Sequence, residues 1–148
     1  GIDYCFADGL GGKQQKILTL YQGENGYGRS FAVERTTLTE YAEKVKKVFS
    51  TENVMIFGSR QREIKKVVSF CGAGCDVAEV LLAEKENADC IVSADMKHHV
   101  ITEALDRGMC VLQTTHYASE NYGMKVFASY IKGKLKGTEV VYFNSIGY

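Results

Sequence analysis

The 148-residue chain carries 18 Lys plus Arg against 18 Asp plus Glu, so its formal net charge is zero. That balance argues against a nucleic-acid binder, which needs a basic face, and against an acidic solvating tail. The length suits a single α/β domain spanning residues 1–148, no apolar run is long enough to cross a membrane, and no signal-peptide pattern opens the chain.

Five cysteines and no proline complete the picture. Four of the cysteines lie in or beside apolar runs, which reads as reduced, buried thiols and a cytoplasmic setting. Without proline, glycine supplies the strong breaks. The first residue is Gly rather than Met, which permits a tag remnant, a processed product or a fragment.

In chain order, Tyr4, Cys5, Phe6, Ala7 and Leu10 suit one brief helix that Gly9, Gly11 and Gly12 stop. Residues 16–21 and 29–33 form two β-rich runs around a glycine-bearing turn, which predicts a hairpin within residues 14–34 that could be peripheral. Residues 37–49 are a helix. Thr37 and Glu40 have capping-box spacing, and Leu38, Tyr41, Ala42, Val45, Val48 and Phe49 form its apolar stripe. Lys44, Lys46 and Lys47 form its wet face.

Short strands follow at 54–57 and 64–70. A helix capped by Asp76 runs to about residue 86, then a strand spans 90–93. A helix over 98–107 ends at Gly108, and a strand spans 110–113. A long helix is predicted over 118–135, with Met124, Phe127, Ala128, Ile131 and Leu135 at helical spacing, and a last strand over 139–143. Continuous apolar strands between helices predict a mainly parallel or mixed sheet with helices on both faces.

Three of these strands run into clusters that can carry chemistry: 71–76, 93–99 and 114–120. Open α/β sheets place ligands at such strand ends. His116 and Glu120 are four residues apart, and so share a face if the helix starts at Thr115. Imidazole and carboxylate both suit zinc, manganese or iron, yet one His and one Glu also describe an ordinary helix start. Asp95 could bind metal, cap a helix or orient a water, and Lys97 could meet a phosphate or pair with Asp95. His98 and His99 point about 100° apart on a helix, so one of them at most faces a cleft with Asp95. Cys71-Gly72-Ala73-Gly74-Cys75 reads as a tight close-packed turn in preference to an anion site, because it lacks the Lys and Ser/Thr of a phosphate loop.

These residues together resemble the Ngg-one-interacting-factor-three-like family, whose members often carry the name of type-two homologues of GTP cyclohydrolase I. The resemblance rests on the turn at Gly72–Gly74, on Ala88-Asp89 through Asp95 and His99, and on His116-Tyr117-Ala118 with Glu120. It is reinforced by the segment from Gly23 to Arg29 and by Gly1-Ile2-Asp3-Tyr4-Cys5-Phe6-Ala7. Ser93-Ala94 stands where the family has Thr-Gly, and Thr115 where it has Gly. The resemblance implies that this chain is the C-terminal part of a larger two-half protein with a dinuclear centre. It makes His116 and Glu120 ligands to a divalent metal (zinc, manganese or iron), and Asp95 and His99 catalytic neighbours. The His-His pair and the Asp that complete the family's centre would fall before Gly1. The implied function is metal-dependent hydrolysis of an unknown small molecule by a homo-oligomer. The alternative is a metal-free binding or scaffold protein with a protein partner.

Overall fold

The computed structural model describes residues 1–145. The elements run α1 (Ile2–Gly9), β1 (Lys13–Gln22), β2 (Asn25–Thr37), α2 (Leu38–Phe49), β3 (Met55–Phe57), β4 (Glu63–Ser69), α3 (Val77–Lys85), β5 (Cys90–Ala94), α4 (His98–Asp106), β6 (Cys110–Thr114) and α5 (His116–Lys134). The six strands form one sheet in the order β1-β2-β4-β5-β6-β3. Only β4–β5 and β5–β6 are parallel, and the other three pairings are antiparallel. The sheet is therefore mixed, with parallel pairing confined to its three central strands. A tight hairpin turn and a short strand at the far edge reverse the chain locally, which apolar patterning along each strand does not record.

Every residue of β5 is buried, as expected for a strand flanked on both sides and covered on both faces. On one face, Val67, Val92 and Leu112 pack with Phe6 and Leu10 and with Leu38, Tyr41, Val45 and Phe49 of α2. On the other, Val68, Ile91 and Val111 pack with Val80 and Ala83 of α3 and with Val100, Ile101 and Ala104 of α4. Adjacent strand residues thus feed opposite cores, as the two-residue period requires. The hairpin is joined to the sheet: β2 pairs with β4, and its Phe31 is 1% exposed.

Both predicted capping boxes form. Glu40 N–H donates to Thr37 Oγ1 at 3.3 Å and Thr37 N–H to Glu40 Oε2 at 3.0 Å. At α3, Val77 N–H donates to Asp76 Oδ1 and Asp76 N–H to Glu79 Oε2. Asp89 fastens the other end of the central strands by accepting the Lys65 and Lys66 N–H groups at 3.0 and 2.9 Å.

One expectation fails. Residues 139–143 are not a strand. Val141 and Phe143 are 75% and 84% exposed, and Tyr142 is held by a side-chain hydrogen bond to Asn121 of α5 in place of a backbone ladder. The apolar residues at helical spacing on α5 lie largely on its surface: Met124, Phe127 and Leu135 are 41%, 52% and 49% exposed, and burial is confined to Ala118, Ser119 and Gly123 near the helix start. All five cysteines are free thiols. Among the described residues no helix is long and apolar enough to cross a membrane.

Replacing Thr37 with Ala removes one acceptor from the α2 cap and is expected to cost about 1 kcal/mol. Urea unfolding would show this as a lower midpoint at unchanged slope, and an unchanged midpoint would mean the cap contributes nothing.

Candidate functional site

The central strands lie side by side: Asp95 directly follows β5 and Thr115 directly follows β6, while β4 reaches Gly72 through Phe70 and Cys71. After β5, Asp95 turns with φ of +47°, a left-handed value that Asp tolerates better than most side chains. The next N–H, of Met96, donates to Gln113 Oε1 of β6 at 3.0 Å and fixes that turn. After β6, Thr115 caps α5 by accepting the Ala118 N–H at 3.1 Å. His116 is therefore the first residue of the helix, and Glu120 lies one turn on along the same face.

Three side chains meet there. Asp95 Oδ2 lies 2.6 Å from His116 Nδ1, and Glu120 Oε1 lies 3.1 Å from His116 Nε2. All three are about half exposed. The hydrogen bond that the His116 ring donates to Asp95 raises the His116 pKa above the ordinary imidazole value; partial burial opposes this, and the Glu120 charge adds to it.

The turn after β4 forms the floor. Gly72 has φ of +60°, and a Cβ there would stand 2.9 Å from Glu120 Oε1 and 3.2 Å from His116 Nε2. Glycine thus leaves the space beneath the pair clear. The Gly72 N–H donates to Ser119 Oγ at 3.0 Å, and its carbonyl accepts the Ala94 N–H at 3.1 Å. One residue earlier, Cys71 N–H donates to Asp3 Oδ1 at 3.3 Å, and Asp3 pairs with the buried Arg29 at 3.4 Å. Burial raises the Asp3 pKa, with Arg29 working against it. Burial also pushes the Cys71 thiol up to about 12, so it is not a nucleophile near neutral pH. At Gly74 a Cβ would overlap the Tyr27 hydroxyl at 1.8 Å, which makes 71–75 a close-packed turn.

Of the four residues singled out from sequence, Asp95, His116 and Glu120 come together. His99 turns to a different carboxylate, Asp76 Oδ1, at 3.9 Å, and Lys97 pairs with Asp76 as well at 3.5 Å. The sequence reading missed Ser119, and it gave Asp3 and Arg29 no role. A Ser one position before Glu120 carries no spacing signal, because its partner lies 47 residues away.

The nitrogen and oxygen donors of His116 and Glu120 suit zinc, manganese or iron. Asp95 is bound at the other ring nitrogen, so it orients the imidazole and does not add a donor beside Nε2. Among the described residues, no group of three or more His, Cys, Asp or Glu is arranged to hold a metal ion. The pair fits as part of a donor set.

The sequence profile of Duf34/NIF3 (NGG1p interacting factor 3) matches residues 1–146. The chain belongs to this family. A Clostridium acetobutylicum member named GTP cyclohydrolase 1 type 2 homolog is 26% identical over 139 residues, which cover 91% of this chain and 51% of that protein. A Halalkalibacterium halodurans member of the same name is 33% identical over 125 residues, 81% of this chain and 33% of its own. The chain thus spans about half the length or less of these curated relatives. Among solved structures, a Bacillus cereus protein related to NIF3 superposes with a TM-score of 0.80 at 13% identity, covering 100% of this chain and 69% of that one. Reduced HcgD from Methanocaldococcus jannaschii gives 0.73 at 24% identity, covering 91% and 52%. At such identities the structures establish the NIF3 fold alone.

A raised histidine pKa stabilises the fold below the unfolded value near 6.5 and loses that contribution as pH rises through the folded value. In chelator-treated buffer, the stability of wild type relative to His116→Gln is expected to be greatest below pH 6.5 and to decline above it. Thermal unfolding across pH 5 to 9 checks this, and a pH-independent difference would show that the Asp95 contact does not favour the imidazolium.

Proposed function

We propose that this chain supplies one side of a metal-dependent hydrolytic site acting on a small molecule. His116 and Glu120 are its ligands to a divalent zinc, manganese or iron ion, and Asp95 is the carboxylate that orients His116. The observation that carries this reading is the 3.1 Å approach of His116 Nε2 to Glu120 Oε1 above the open face of Gly72, with Asp95 on the opposite ring nitrogen. In this reading Asp95 accepts the Nδ1–H proton and so fixes the tautomer that leaves the Nε2 lone pair for a ligand bond. When bound, a divalent ion lowers the pKa of a coordinated water and polarises an electrophile. Two protein donors are too few for a closed site. The remaining donors would come from the portion of the relatives that this chain does not cover, as the family resemblance implies.

One observation favours a second reading, a metal-free binding or scaffold module. Both ring nitrogens of His116 already face carboxylates, so a protonated imidazole satisfies the trio without a cation. Cobalt titration followed by visible absorption separates the two. Wild type is expected to bind saturably, His116→Ala and Glu120→Ala to lose that binding, and Asp95→Asn to weaken it about 10- to 100-fold. Equal uptake by wild type and the protein carrying both alanine changes would sink the metal reading.

The exposed Met124, Phe127 and Leu135 of α5 support the homo-oligomer that the resemblance implies, since apolar surface of this kind is commonly covered by a partner. Sedimentation should show more than one copy per particle, and Phe127→Glu should dissociate it. A wild type that sediments as a monomer would remove this part of the proposal.

A further inference from the structure

The His116 and Glu120 side chains can share one ligand only if the turn beneath them stays at a fixed height. One buried hydroxyl ties that turn to the helix that carries both side chains. Ser119 is 0% exposed. Its Oγ donates to the carbonyl of His116 at 2.8 Å and accepts the N–H of Gly72 at 3.0 Å. The first of these bonds is the familiar back-bond of a serine within a helix. The second is not local: it fastens the turn that follows β4 to the first turn of α5. The Cys71 thiol adds a contact to the Ser119 carbonyl at 3.3 Å, so two consecutive residues of the turn are held by the same serine.

We propose that Ser119 is a positioning residue, whose hydroxyl holds the Gly72 turn at the height at which His116 Nε2 and Glu120 Oε1 can bind one ion. The inference rests on the metal reading for its binding readout, but its geometric content does not. Removing the hydroxyl strands the Gly72 N–H in a buried place without an acceptor, and such a group is satisfied elsewhere or hydrated at the expense of local structure. Movement of the turn toward the pair meets little free space, as the distances from a Cβ at Gly72 indicate. Movement away unseats the floor and lets the helix start, with His116 on it, relax. The effect reaches the ligands through the backbone, because Ser119 Oγ touches neither side chain that would bind the ion.

The test compares the wild-type chain with Ser119→Ala, Ser119→Thr and Val100→Ala. The threonine keeps the hydroxyl. Val100 is fully buried in the core on the opposite face of the sheet, so its truncation controls for simple loss of stability. Three readouts are taken: cobalt affinity and absorption, the metal-free 15N signals of the His116 ring at one fixed pH, and thermal midpoint. Ser119→Ala is expected to lose at least about tenfold in cobalt affinity, as changes to the groups supporting metal ligands do, and to shift the ring signals. Ser119→Thr should restore both toward wild type, and Val100→Ala should lower the midpoint while leaving both unchanged. If Ser119→Ala does not fold, Ser119→Cys is read in the same way, since a thiol is a weak hydrogen-bond partner of similar size. Wild-type affinity and ring signals in a folded variant lacking the hydroxyl would overturn the proposal. If wild type takes up no cobalt, the metal reading falls and the ring signals alone decide: a shift in Ser119→Ala supports the positioning role, and no shift overturns it.

Discussion

The peptide of Gly72 is the point on which the arrangement at the strand ends depends. Its N–H is taken by Ser119 of α5, and its carbonyl by the Ala94 N–H at the end of β5. The Ser93 hydroxyl, bonded chiefly to Phe70 O at 2.8 Å, lies within 3.3 Å of the same carbonyl. A buried peptide must find partners for both its groups, and these lie on a different strand and on a helix remote in sequence. The exits of β4 and β5 and the entry to α5 are therefore fixed relative to one another at one residue. Glycine suits this residue, since its φ is +60° and a Cβ would crowd the Glu120 carboxylate and the His116 ring and force them to shift. Asp3 extends the anchorage by one residue, holding Cys71 N–H with Arg29 at its back.

Much of this was legible in the amino-acid order, and the reasons differ by element. The α2 cap was visible because Thr37 and Glu40 carry their signal within four residues. The central strands were visible because burial on both faces demands continuous apolar residues. The reach of β1 was not: Lys13–Gln22 is largely exposed, so burial leaves no alternation to read. Strand direction was not either, because a parallel and an antiparallel neighbour ask for the same side chains. The segment after α5 misled because Val140, Val141, Tyr142 and Phe143 have β propensity, which cannot act without a ladder to join. Within the site, His116 and Glu120 were legible from helical spacing and Asp95 from its place at a strand end. His99 was ambiguous because the roll of α4 decides which carboxylate it meets. Ser119 was silent because tertiary proximity alone gives it a partner.

The overall charge balance conceals a local excess. Asp95 and Glu120 bring two carboxylates to one imidazole, with no Lys or Arg among the contacts described for any of the three. Negative charge thus gathers at the open end of a chain that is neutral overall. A proton on His116 relieves part of that excess, and the proposed cation would relieve more of it. The NIF3-family fold contributes the scaffold, three neighbouring strands that lead to one end of the sheet, and the electrostatic character comes from three side chains placed upon it.

Asp95 carries a further implication. A non-glycine residue in a left-handed conformation is held there against its own preference, at a cost of order 1 kcal/mol or more. Gln113 retains the following N–H and His116 the carboxylate, so that cost is met during folding and not on encounter with a ligand. In the proposed site the orienting carboxylate would thus be preorganised: an ion at His116 would not have to freeze a mobile aspartate, and the entropy that such freezing would consume would remain available as affinity.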